Sequence, residues 1–144
     1  MNEPETIRQI LKGSKTIAVV GLSTNQDRAS FGVSRYMQRQ GYRIIPVNPA
    51  IPSVLGEKAY PTIEAACAAG SGVDLVDVFR APEYVPGIVE EVIRLKIPYL
   101  WLQEGVCHRE AAERAEAAGV KVVMDRCIFS EHLQMAAPSA VENR

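Results

Sequence analysis

The sequence predicts an α/β fold: a doubly wound, five-stranded parallel sheet in a single three-layer domain. Three observations carry this. Five short apolar runs recur along the chain: TIAVVGL (16–22), YRIIPVN (42–48), VDLVDVF (73–79), IPYLWLQ (97–103) and VKVVM (120–124). Segments with helical spacing separate them. The length of 144 residues suits one domain, which buries roughly 70% of the surface its unfolded chain exposes.

Each element has a local reason. A helix over about residues 3–12 precedes the first strand. The run TIAVVGL is continuously apolar, as a strand buried on both faces must be. In SFGVSRYMQRQG (30–41), Val33, Tyr36, Met37 and Gln40 fall at helical spacing, and Gly41 stands where a helix stops. After strand two, YPTIEAACAAG reads as a short helix with Thr62 as N-cap and Gly70 as terminator. After strand three, APEYVPGIVEEVIRLK opens on a proline-punctuated turn. Its helix begins near Pro86, because proline suits a first helical position and no interior one. Ile88, Val89, Val92, Ile93 and Lys96 then share a stripe. The helix after strand four, HREAAERAEAAG, turns Ala111, Ala112, Ala115 and Ala118 inward, so it packs close to the sheet. IFSEHLQ forms a last short helix. The folded core is expected over about 14–134, with a flexible tail at 135–144. Crossovers between parallel strands should be right-handed.

Composition narrows the function. Hydrophobic residues make up 47% and charged residues 23%, an ordinary globular mixture. A net charge of −1 argues against a general nucleic-acid or membrane-surface binder, which carries a basic excess. No apolar run reaches the roughly 20 residues of a membrane helix. The start, MNEPETIRQILKGSK, is acidic and lacks the apolar stretch of a signal or transit peptide. Cys67, Cys107 and Cys127 are odd in number and widely spaced, which disfavours a disulfide framework and makes the cytoplasm the default location.

In doubly wound sheets, ligands bind beyond the carboxyl ends of the strands, where strand order reverses. That rule selects Gly21–Arg28, Asn48–Pro49, Phe79–Pro82, Gln103–Gly105 and Asp125–Arg126. The turn after strand one runs into a helix N-terminus, whose free N–H groups and dipole favour an anion. Ser23, Thr24 and Asn25 add short hydrogen-bonding side chains, and Arg28 adds charge. NAD and FAD are disfavoured. The loop keeps Gly21 and lacks the further glycines of the dinucleotide fingerprint, and strand two ends in Asn48 where an acid would hold a ribose. Asn48 and Pro49 can still wall a base or ribose. At strand three, Arg80 can meet phosphate while Phe79 or Pro82 packs on a base. At strand four, Gln103 and Glu104 bring polar groups to the same mouth, and Gly105 permits a tight turn. Trp101 lies inside a strand and reads as core.

Catalytic machinery is not evident. His108 reads as a capping or exposed residue at a helix start. Cys127 and His132 lie five apart, where a thiolate–imidazole pair would be nucleophilic; a buried structural cysteine beside a surface histidine is the plainer reading. No zinc-ligand spacing, nucleophile elbow or Walker loop is present. We assign no catalytic residue and no metal ligand.

The segments TIAVVGLS, GYRIIPVNP, VDLVDVFRAPE, LWLQEGV and VVMDRCIFSEH together resemble the small single-domain CoA-binding proteins. Their Rossmann-like fold is similar to the CoA-binding domain of the succinyl-CoA synthetase alpha subunit. The resemblance runs from about Leu11 to His132. It implies that Ser23–Gln26 match the synthetase's CoA loop, which is richer in glycine there. It also matches Gln103, Glu104 and Gly105 to a turn ending in Glu-Gly, and Phe79–Pro82 to the strand-three turn, where Arg80 is a departure that adds charge. The implied ligand is coenzyme A or an acyl-CoA, with Arg28, Arg43 or Arg80 toward its 3′-phosphate. The synthetase's phosphorylated histidine belongs to a second domain, so ligase activity is not expected of this sequence. Two further readings stand beside this one. The first is an enzyme of thioester or thiol chemistry using Cys127 and His132. The second is an interaction subunit docking on a larger CoA enzyme. A homo-oligomer also stays open.

Overall fold

The computed structural model describes residues 1–70 and 72–136. Its elements are α1 (Pro4–Gly13), β1 (Thr16–Val20), α2 (Ala29–Arg39), β2 (Arg43–Val47), β3 (Ser53–Val54), β4 (Glu57–Lys58), α3 (Ile63–Ala68), β5 (Leu75–Val78), α4 (Val85–Arg94), β6 (Tyr99–Leu102), α5 (Arg109–Ala117), β7 (Lys121–Met124) and α6 (Ile128–Ala136). Five strands pair in parallel in the order β2-β1-β5-β6-β7. The predicted Rossmann-like doubly wound sheet is thus the observed one.

Alternation along the strands builds the three layers. Ile17 and Val19 of β1, Ile44, Leu75, Trp101 and Val123 face one way, and bury against Ile10 and Leu11 of α1, Phe31 and Met37 of α2, and Ile128 of α6. Ala18 and Val20, Ile45, Val47, Val76, Val78, Leu100, Leu102 and Val122 face the other way, onto α3, α4 and α5. Such double-sided burial is why each strand reads as a continuous apolar run. Trp101 is fully buried, and its indole N–H donates to the Arg126 carbonyl at 2.8 Å. Thr62 caps α3 by accepting from the Ala65 N–H at 3.0 Å.

Several details differ from the expectations. The buried face of α2 is Ser30, Phe31, Ser34 and Met37, with Val33 and Tyr36 only half-buried. Lys96 lies beyond α4 with φ of +58°, and Ala118 is exposed at the end of α5. Helix α4 does start near Pro86, at Val85, after a 3-10 turn at Pro82–Tyr84. A small antiparallel hairpin, β3–β4, was not foreseen. Its two-residue turn puts Leu55 at φ +55° and Gly56 at φ +75°, the geometry that twisted hairpins need. Leucine gives no sign of that conformation in sequence. Met135 and Ala136 lie in α6, and residues 137–144 of the expected tail fall outside the described residues. No helix among the described residues is long and apolar enough to cross a membrane.

Candidate functional site at the strand-order switch point

Strand β1 lies between β2 and β5, so the chain leaves this strand pair in opposite directions and opens a crevice above it. The apolar runs outlast the paired strands here. Gly21, Asn48, Phe79 and Gln103 follow the last strand residues and turn into the crevice walls. The Gly21 N–H donates to the Val47 carbonyl at 2.9 Å, and the Phe79 N–H to the Val20 carbonyl at 2.8 Å. Gly21 has φ of +87°, and a Cβ there would stand 2.4 Å from the Phe79 carbonyl oxygen. Only glycine fits between these two strand ends.

The following loop is tied together by its own short side chains. The Ser23 N–H donates to Ser30 Oγ (3.0 Å), the Asn25 N–H to Ser23 Oγ (3.0 Å), and the Asp27 N–H to Asn25 Oδ1 (2.9 Å). Helix α2 then begins with Arg28 at its N-cap and no side chain capping its first N–H groups. A cleft of about 400 Å³ opens before it, lined by Gly21, Ser23, Arg28, Ala29, Ser30, Phe79, Gln103, Glu104 and Val106.

The structure therefore brings six of the sequence-selected residues to one cleft: Gly21, Ser23, Arg28, Phe79, Gln103 and Glu104. The others are not in its lining, and Arg126 lines a different cleft. Thr24 and Asn25 are exposed on the loop. Arg80 reaches past Gly21, with its Cδ 3.1 Å from where a Gly21 Cβ would be, and its guanidinium lies 3.9 Å from the centre of the Tyr84 ring. The Asn48 amide bridges two turns: its Nδ2 donates to the Leu22 carbonyl at 3.1 Å and its Oδ1 accepts from the Ala50 N–H at 2.9 Å. Pro49 is exposed beside it. Gly105 has φ of +87°, and its N–H donates to Asp125 Oδ1 at 2.8 Å.

Sequence reasoning missed Ala29, Ser30 and Val106, which line the cleft. It also missed Asp77, one residue inside β5. Asp77 is buried, and burial pushes its carboxyl up to about 7 against the opposing pull of its bond with Gln103. Gln103 Nε2 donates to Asp77 Oδ1 at 2.6 Å, while Gln103 Oε1 accepts from the Ile128 N–H at 3.4 Å. The Gln103 amide is thus fixed between a buried acid and the start of α6. Asp77 occupies a strand position that reads as part of an apolar run, so no spacing singles it out.

Neither histidine is arranged for nucleophilic chemistry. His108 caps α5, its Nδ1 accepting from the Ala111 N–H at 3.1 Å. His132 is buried, its Nδ1 bonded to the Tyr36 hydroxyl at 2.8 Å and its ring edge-on to Tyr36 and Tyr42. Burial lowers its pKa. Its hydrogen bond serves the α2–α6 contact; against expectation, the histidine is the buried member of the pair and Cys127 is only half-buried.

A second cleft, about 430 Å³, lies between α1 and α6 and is lined by Arg8, Arg126, Met135 and neighbours. Its arginines are neutralised: Arg8 pairs with Glu5 at 2.8 Å and Arg126 with Glu131 at 3.5 Å. Among the described residues, neither Arg28 nor Arg80 stands in any ion pair. The switch-point cleft thus combines a helix N-terminus with an arginine, Arg28, that forms no ion pair among the described residues.

Residues 15–133 match the CoA binding domain family. The chain is 44% identical over 126 residues to the uncharacterized protein YneT of Bacillus subtilis, covering 88% of this chain and 91% of YneT. A hypothetical protein from Pyrococcus horikoshii has the same fold, with a TM-score of 0.86 at 34% identity over 94% of this chain and 93% of that one. The ADP-forming acetate–CoA ligase I of Archaeoglobus fulgidus is 25% identical over 132 residues; the match spans 85% of this chain but only 19% of the ligase. Sequence match and fold converge, and the chain belongs to the CoA binding domain family.

Proposed function

We propose that the protein binds coenzyme A or an acyl-CoA in the switch-point cleft, through the phosphates first. The observation that carries this reading is the uncapped N-terminus of α2 with Arg28 at its start and Arg80 beside Gly21, two cations that form no ion pair among the described residues. A diphosphate placed there meets aligned N–H donors, the positive end of the helix dipole and a guanidinium. Phe79 offers an apolar surface to a base or to the pantetheine arm, and the cleft's size is ordinary for a ligand pocket. The residues present thus fit the group, and they bind and orient it. Both histidines are engaged elsewhere, the buried His132 with Tyr36 and His108 with the start of α5.

NAD fits less well, since Asn48 spends its amide on Leu22 and Ala50 and no carboxylate is there for a ribose. Calorimetric titration tests the reading. CoA is expected to bind with NAD at least about tenfold weaker, and Arg28→Gln to weaken CoA by about tenfold, the cost of one charge-assisted phosphate contact. Absence of binding heat at millimolar CoA would overturn it.

A further inference from the structure

Resting on the CoA reading, we propose that Tyr84 is a positioning residue for the ligand: its ring holds Arg80 free of carboxylates beside Gly21, ready to take a second phosphate group, separate from the diphosphate at α2.

Arginine is a flexible side chain, and five arginines among the described residues are steadied by acids. Arg8, Arg94, Arg109, Arg114 and Arg126 each pair with a glutamate. Arg80 is steadied differently. Its guanidinium lies 3.9 Å from the centre of the Tyr84 ring. Neither Glu83, three residues on, nor Glu104, across the cleft, forms an ion pair with it among the described residues. A ring face orders a guanidinium without neutralising it and without occupying its in-plane N–H donors. Those donors stay available for bidentate contact with phosphate.

The backbone places the pair. Pro82 opens the 3-10 turn Pro82–Tyr84, and the Tyr84 N–H donates to the Ala81 carbonyl at 3.0 Å. That turn brings residue 84 back over residue 80. Tyr84 is 47% exposed, one of two large apolar side chains left so open among the described residues. A ring placed there for packing alone would be buried; this one covers a cation. Arg28 and Arg80 then address different parts of the ligand. Arg28 starts α2, where the diphosphate is expected. Arg80 lies across Gly21, at the end of β5. CoA carries two separated anionic groups, its diphosphate and its 3′-phosphate, whereas NAD carries only the first. Two separated, uncompensated cations match the former.

The test compares CoA with dephospho-CoA on the wild type, Tyr84→Phe, Tyr84→Leu and Arg80→Gln. The wild type is expected to prefer CoA by about tenfold. Tyr84→Phe keeps the ring face and should keep the preference. Tyr84→Leu should lose most of it, approaching Arg80→Gln, while dephospho-CoA affinity changes less than about twofold. A preference unchanged in Tyr84→Leu overturns the inference, as does an equal weakening of both ligands, which marks a merely structural role. A wild type that binds both ligands equally also overturns it while leaving the CoA reading intact. A wild type that binds neither removes both.

Discussion

Replacing Gly21 with alanine is expected to cost the protein both stability and its crevice. A Cβ at this position would lie 2.4 Å from the Phe79 carbonyl oxygen, a backbone atom that cannot swing aside, and φ is +87°. The left-handed backbone alone costs a non-glycine residue about 1–3 kcal/mol. Relief of the clash requires the ends of β1 and β5 to part, which pulls Phe79 and Arg80 away from the start of α2. We expect a loss of about 3 kcal/mol or more, read as a melting temperature lower by roughly 10 °C. CoA affinity should fall with it, even well below the new melting point. Gly87→Ala is the control. Gly87 lies in α4 with ordinary φ and nothing within 4 Å of its would-be Cβ, so that variant should be neutral or gain about 0.5–1 kcal/mol.

The second large effect is a pH dependence centred on Asp77. An unfolded chain releases this proton near 3.8, whereas burial holds it in the folded protein up to about 7. Between those values the folded state carries a proton that the unfolded state lacks. Stability therefore falls as pH rises through this window and levels off above it. The total is on the order of 4 kcal/mol, at about 1.4 kcal/mol for each pKa unit. His132 acts in the opposite sense. Its folded pKa lies below 6.5 because burial disfavours the imidazolium, so its contribution is lost as pH falls from 6.5. The two offset each other in mildly acidic solution. Asp77→Asn should remove the decline between pH 4 and 7 and leave a curve that rises with pH on the histidine's account. Denaturant unfolding at a series of pH values reads this directly. A variant whose stability still declines over that window contradicts the assignment of the proton to Asp77.

This carboxyl also marks where sequence reasoning stops. The five strands were legible because both faces of each are apolar, and the helices because glycine, proline, threonine and alanine punctuate them in recognisable ways. The strand-end rule found Gly21, Arg28, Phe79 and Gln103 without any motif. What it could not find depends on neighbours distant in sequence. Asp77 in VDLVDVF looks like Asp74 three residues earlier, yet Asp74 accepts the Lys15 and Thr16 N–H groups at the sheet's other end while Asp77 is buried against Gln103. Asn48 read as a ligand wall because its role as a bridge between two turns involves Leu22, 26 residues away. Tyr84 was not singled out, because nothing local announces a cation beneath its ring. The Leu55–Gly56 turn has a leucine where asparagine would have signalled a hairpin.

The central claim is that a phosphorylated ligand occupies the crevice between β1 and β5 and leaves the slightly larger α1–α6 cleft empty. Backbone amide chemical shifts followed during a CoA titration test it most directly, because both clefts report in one experiment. The account requires the largest changes at Ser23, Arg28, Ala29, Ser30, Gln103 and Val106, which line the crevice. Changes concentrated at Asn2, Ile7, Arg126 and Gln134, which line the other cleft, would contradict it, as would a spectrum that millimolar CoA leaves unmoved.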